Sequence, residues 1–169
     1  MNKFTVVGLC LLMTLPFAAA GATLQDEALK HWKASKEFTI AVAEMMPADG
    51  YDFKPNPEEM SFGELMIHMA VSQGNSFARA SETKSPLSKP DPKDKAAVIK
   101  LLNDSFDFAL QTLENLKPEQ MERMSGKPGG PQSSGREILW STFTHIAHHR
   151  GQAEVYLRVK NIKPPQYRF

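Results

Sequence analysis

Proline- and glycine-rich breaks divide this 169-residue chain into four long stretches that themselves lack proline. The breaks fall at 47–57, 83–92 and 117–133, and Lys163-Pro-Pro opens the tail. Within the stretches, apolar residues recur at helical spacing, and strand-like alternation is nowhere visible. Four amphipathic helices of similar length reduce the simplest architectures to one, an all-α antiparallel four-helix bundle.

The first stretch, 24–46, carries Leu24, Ala28, Leu29, Trp32, Ala43 and Met46 at helix-like spacing. His31, beside Trp32, reads as a boundary or surface residue. Tyr51 and Phe53 lie in the proline-rich loop that follows and are expected to fold it against the bundle. Ser61 and Glu64 form a capping box at the start of the second helix, which runs to about Glu82. Its apolar residues surround most of the axis. His68 shares its most polar line with Ser72, Asn75 and Arg79, which is either a wet pocket or the solvent face. The third helix, 93–116, has a clear apolar stripe and no histidine, and reads as scaffold. The connection 117–133 reads as a flexible linker or a lid. Ser134 and Glu137 form a second capping box before the last helix.

Three of the five histidines sit on that last helix, at 145, 148 and 149. At about 100° per residue, His145 and His149 lie about 40° apart on one face. They share that arc with Ile138, Leu139, Thr142, Ile146, Ala153, Tyr156 and Leu157, while Trp140 and Glu154 lie opposite. Two imidazoles on one buried line both need partners. The i, i+4 spacing suits two ligands of one metal ion. His68, in the middle of another long helix, is the best third ligand. Three neutral imidazoles suit zinc, nickel, copper or iron and leave a position open for water or substrate. Gln152, one turn beyond His149, is either a hydrogen-bond partner of a ligand or bound water or a plain surface residue, and His148 points to one side of the pair. No general base is evident; His148 and Glu64 are the candidates.

The ends and the charge balance bound the setting. Residues 1–22 show a lysine, an apolar run and small residues, the anatomy of a cleavable signal peptide, with cleavage after Ala20 or Ala22. The apolar run is short for a membrane span. Residues 23–169 then form one domain by length. The single cysteine, Cys10, leaves with the leader, so neither a disulfide nor a thiolate nucleophile is available to the mature chain. Loss of Lys3 leaves acids and bases balanced, which excludes a basic field for nucleic acid. The expected compartment is periplasmic or extracellular.

The segment Phe62-Gly-Glu-Leu-Met-Ile-His68-Met-Ala, and above all His145-Ile-Ala-His-His-Arg-Gly-Gln152 followed by Tyr156-Leu-Arg158, resemble the DinB-like (YfiT-like) superfamily. Tyr51-Asp-Phe-Lys-Pro55 and Pro164-Pro-Gln-Tyr167 add to the likeness, which spans nearly the whole mature chain. The resemblance implies a four-helix bundle with a divalent metal held by His68, His145 and His149, His148 being an additional, non-ligating histidine. It further implies chemistry on a small molecule, since some such proteins are thiol-dependent transferases or isomerases. Pairing into homodimers through a helix face is also common in the family. A metal-dependent hydrolase or transferase is the leading expectation; a non-catalytic bundle that binds a metal or small ligand is the alternative.

Overall fold

A computed structural model of the chain describes residues 23–126 and 129–168. The expected leader, 1–22, lies outside the described residues. Four long helices are present: α1 (Leu24–Met45), α2 (Phe62–Ser81), α3 (Lys95–Asn115) and, last in the chain, α5 (Gly135–Val159). Between α3 and α5 come a one-turn helix, α4 (Pro118–Glu122), and two short antiparallel strands, β1 (Met124–Gly126) and β2 (Gln132–Ser134). Both α1 and α2 pack against α3 and α5, so the two helices adjacent in sequence stand diagonally across the bundle. None of the described helices is long and apolar enough to cross a membrane.

Each of the four long helices starts where its sequence supplies an acceptor for the free amides of the first turn. Thr23 with Asp26, and Ser61 with Glu64, form reciprocal capping boxes. Asp94 caps α3 by accepting from the Ala97 amide, which starts that helix two residues later than its apolar pattern suggests. Ser134 accepts from the Glu137 amide, but the reciprocal bond expected from Glu137 is not made. Ser134 is at the same time the last residue of β2, opposite Met124 in the ladder.

The linker expected at 117–133 is therefore structured on both sides of its glycines. Gly126 pairs with Gln132, and Gly129 takes a φ of +73° in the turn between the strands. Three-residue strands are too short to show alternation in a sequence, which is why no strand was expected.

The connection 46–61 is anchored by Tyr51. Its ring is fully buried against Phe62, and its hydroxyl donates to the Ala43 carbonyl oxygen at 2.9 Å. Gly63, at the start of α2, donates its amide to the Tyr51 carbonyl oxygen at 2.8 Å. A Cβ there would collide with the Pro92 carbonyl, so glycine lets the two connections meet over the start of α2. The tail returns to α1, with Tyr167 edge-on to Phe38.

A polar relay crosses the centre of the bundle. Trp32 Nε1 donates to Gln73 Oε1 at 3.2 Å, Gln73 Nε2 donates to Ser105 Oγ at 3.0 Å, and Ser105 Oγ donates to the Ala70 carbonyl oxygen at 2.8 Å. Gln73 is fully buried, and the relay joins α1, α2 and α3. Gln73→Met preserves volume but strands the Trp32 indole N–H. It should lower stability by about 1–3 kcal/mol, read as a reduced urea midpoint with unchanged helical circular dichroism. An unchanged midpoint would show that the relay contributes no net stability.

Candidate metal centre

The packing of α2 on α5 sets His68 opposite His145 and His149. Their ring centroids lie 5.0 Å and 4.6 Å from that of His68, and 4.4 Å from each other. All three Nε2 atoms converge. The distances from His68 to His145, from His68 to His149, and from His145 to His149 are each 3.1 Å. All three side chains are half-buried.

Such a triangle cannot be satisfied by its own hydrogen bonds. A neutral imidazole Nε2 is either donor or acceptor, so at least one edge must set two lone pairs or two N–H groups against each other. His149 narrows the choice. Its Nδ1 lies 2.6 Å from Gln152 Oε1, an acceptor, and so carries the proton. That leaves a lone pair on Nε2, aimed at the other two rings. A cation among the nitrogens would accept all three lone pairs at once. With metal–nitrogen distances of about 2.0–2.1 Å, nitrogens 3.1 Å apart subtend an angle of about 100°. That angle lies between octahedral and tetrahedral values, so the donor set fits a divalent transition metal with open coordination positions.

The electrostatics favour the ligating form. Burial, reinforced by the neighbouring His149, His68 and His148, pushes the pKa of His145 down to about 4. Burial, then the charges of His149 and Lys89, lowers that of His68. At neutral pH both rings are thus held neutral, as a metal ligand must be.

The other candidates divide. His148 is exposed, its ring 4.9 Å from that of His149. His31 lies apart from the cluster, edge-on to Phe143. Glu64 lines a groove of about 400 Å³ that reaches His68. Its carboxylate accepts from the Ser61 amide at 2.7 Å and pairs with Lys54 at 3.5 Å. The capping bond, and then Lys54, hold its pKa below the usual carboxylate range.

The far wall of the groove is the 83–92 connection, through Lys89, Pro90 and Pro92. The lid or linker expected in 117–133 instead contributes the β1–β2 hairpin. It stands at the start of α5, about 15 Å along the axis from His145 at 1.5 Å per residue.

Gln73 and Arg150 are the two largest of the interior polar residues that were not read as such from sequence. The available signal for Arg150 lay on α1. Ser35 and Thr39, four residues apart on the face that carries Trp32 and Phe38, put two acceptors where α5 had to bring a donor.

Comparison with known proteins agrees with this architecture. The family model of the DinB superfamily matches residues 31–153. The uncharacterised protein YjoA of Bacillus subtilis (strain 168) is 26% identical over 137 residues, spanning 79% of this chain and 88% of YjoA. The crystal structure of that DinB-like protein superposes with a TM-score of 0.72, covering 84% of this chain and 97% of its own. A DinB-like protein from Bacillus cereus ATCC 10987, 15% identical, shares the fold with a TM-score of 0.71 over 83% of this chain and 95% of that one. A conserved protein from Enterococcus faecalis, 18% identical, does so with a TM-score of 0.66 over 82% and 97%. With the family model covering well over half its length, this chain belongs to the DinB superfamily.

Proposed function

We propose that this chain is an exported divalent-metal protein that acts as a metal-dependent hydrolase or transferase on a small molecule, with His68, His145 and His149 as the ligands. The observation that carries the reading is the triangle of Nε2 atoms at 3.1 Å, with the His149 tautomer fixed by Gln152. Zinc, nickel and iron all suit such a donor set. A divalent ion there supplies Lewis acidity, polarising a substrate oxygen or sulfur or acidifying water.

The chain's own residues define the rest. The groove beside His68 gives a small molecule a route to the centre, with Met60, Ile67 and Val71 as apolar walls and Ser72 and Lys89 as polar ones. A non-catalytic sequestering bundle would have a sealed site, and this groove is the reason to favour chemistry over storage. Glu64, held ionised by its cap and by Lys54, is a poor proton acceptor. His148, exposed beside His149, is the better candidate to exchange protons with solvent. Export would separate the chain from cytosolic thiols, which favours water as the acceptor.

Three outcomes are expected. Protein purified from its native compartment should contain about one divalent ion per chain. His149→Ala should lose that ion and His31→Ala should retain it, measured by plasma emission spectrometry on both. Equal contents would defeat the ligand assignment.

Acid sensitivity follows from His145. The pKa in the folded chain is about 4, against about 6.5 unfolded, so between these values the unfolded state binds the extra proton. Stability of metal-free protein should therefore fall as pH drops from 6.5 to 4 and level off, for this group, below that window. His145→Asn should make the urea midpoint less pH-dependent across the same range. A slope unaltered by the substitution would contradict this account.

Finally, N-terminal sequencing of the mature protein should begin at Gly21 or Thr23. Recovery of an intact Met1 terminus in the exported fraction would exclude cleavage.

A further inference from the structure

Arg150 is only 6% exposed, yet no carboxylate lies within ion-pairing distance of it among the described residues. Buried charges are ordinarily paired, because taking a lone guanidinium out of water is costly. Here the compensation is partial. Nη1 donates to Ser35 Oγ at 2.9 Å and to Thr39 Oγ1 at 3.3 Å, and the guanidinium carbon lies 4.6 Å from the centre of the Phe38 ring. Both hydroxyls are neutral. Glu154, one turn along α5, attracts the charge from a distance but is itself engaged with Arg158 at 3.6 Å.

The donors of Arg150 divide accordingly. A guanidinium has five N–H groups, and the two on Nη1 are used. The three on Nε and Nη2 have no acceptor among the described residues. Among the described residues, only Ser125 Oγ is sealed from solvent without a partner, so these Arg150 donors remain reachable. Arg150 lines a cavity of about 230 Å³ between α1 and α5, and this is the open space beside it. Ala34, Phe38, Phe143, Ala147 and Tyr167 are among its other walls, which are mostly apolar.

We propose that this cavity binds a small organic monoanion, a carboxylic acid with an apolar, preferably aromatic, body. The carboxylate would lie against Nε and Nη2 of Arg150, and the body against Phe143 and Tyr167. Nε and Nη2 together form the planar fork that matches a carboxylate through two parallel hydrogen bonds. The charge inventory selects a single negative charge. His31, Glu154 and Arg168 also line the cavity, but Arg168 is already paired with Glu37 at 3.3 Å and Glu154 with Arg158 at 3.6 Å. One unpaired guanidinium remains, which balances a carboxylate but not a phosphate dianion. The volume is below the range usual for drug-sized ligands, which points to a small acid. The apolar walls favour an organic ion over an inorganic one. Arg150 follows His149 directly, but about 100° around α5, so this site is separate from the histidine cluster.

The test uses the full chain, metal-loaded and metal-stripped, with benzoate as probe and inorganic phosphate as comparator. Nitrogen–proton correlation spectra should show saturable benzoate shifts at the Arg150 side chain, Ala147 and Gly151, with equal affinity in both metal states and weaker binding of phosphate. Arg150→Gln should weaken benzoate by about tenfold or more. Ala147→Leu, which fills the cavity and leaves the guanidinium in place, should weaken it comparably and covers the case in which Arg150→Gln fails to fold. Four results would each overturn the proposal: no saturable shift at millimolar benzoate, tighter binding of phosphate, binding that needs the metal, or unaltered affinity in Ala147→Leu.

Discussion

Three imidazole nitrogens at mutual distances of 3.1 Å are a constraint that the helices must hold and the side chains alone cannot. Their contacts are frustrated as hydrogen bonds, and burial with mutual repulsion makes protonation of His145 and His68 costly. The arrangement therefore depends on the α2–α5 interface. On the α2 side, Leu65, Met66 and Met69 are fully buried around His68; on the α5 side, Ile146, Ala153 and Leu157 flank His145 and His149. A core packed to this density resists small displacements, so the rings stay together in spite of their preference to separate. Gln152 then fixes one tautomer at the cost of a single hydrogen bond.

The positions of the long helices were legible because each level of the sequence agreed. Capping residues, apolar period and proline breaks marked nearly the same boundaries. The half of the site on α5 was legible for the same reason, since i, i+4 spacing is a local property. Its other half was not local. The helical wheel left His68 on a polar line that suited solvent equally well, and pairing it with α5 relied on its central position and on the family resemblance. What selects between those readings is that α1 and α2 stand diagonally, which places α2 beside α5. No periodicity within one helix encodes that choice. The β1–β2 hairpin escaped notice because six strand residues cannot outweigh the glycines and prolines around them.

The interior polar residues were hidden by the same non-locality, but they differ in a way that bears on function. Gln73 reads as an ordinary polar residue until Trp32 and Ser105 are brought to it from α1 and α3. Once there, its carbonyl and amide both have partners, and the chain closes on the Ala70 carbonyl oxygen. A relay closed in this way contributes to the specificity of the packing and offers nothing to a ligand. Arg150 is buried nearly as deeply, but its bonds leave three donors without acceptors among the described residues. The comparison separates polar groups that complete a core from those that keep donors or lone pairs free.

By that criterion α5 is the element that keeps donors and lone pairs free, and it does so on two sides. One side presents the free lone pair of His149 Nε2 toward α2. The next residue presents free N–H donors toward α1. An acceptor-rich cluster that suits a cation and a donor-rich cavity that suits an anion thus occupy consecutive positions of one helix, where any shift or rotation of α5 would move both. Neither face is needed to fold a four-helix bundle. An apolar pair in place of His145 and His149, or a leucine in place of Arg150, would bury more readily. A sequence that keeps both polar faces forgoes stability that apolar residues would have supplied, and the cation and anion proposed for them would offset that loss by binding the folded chain.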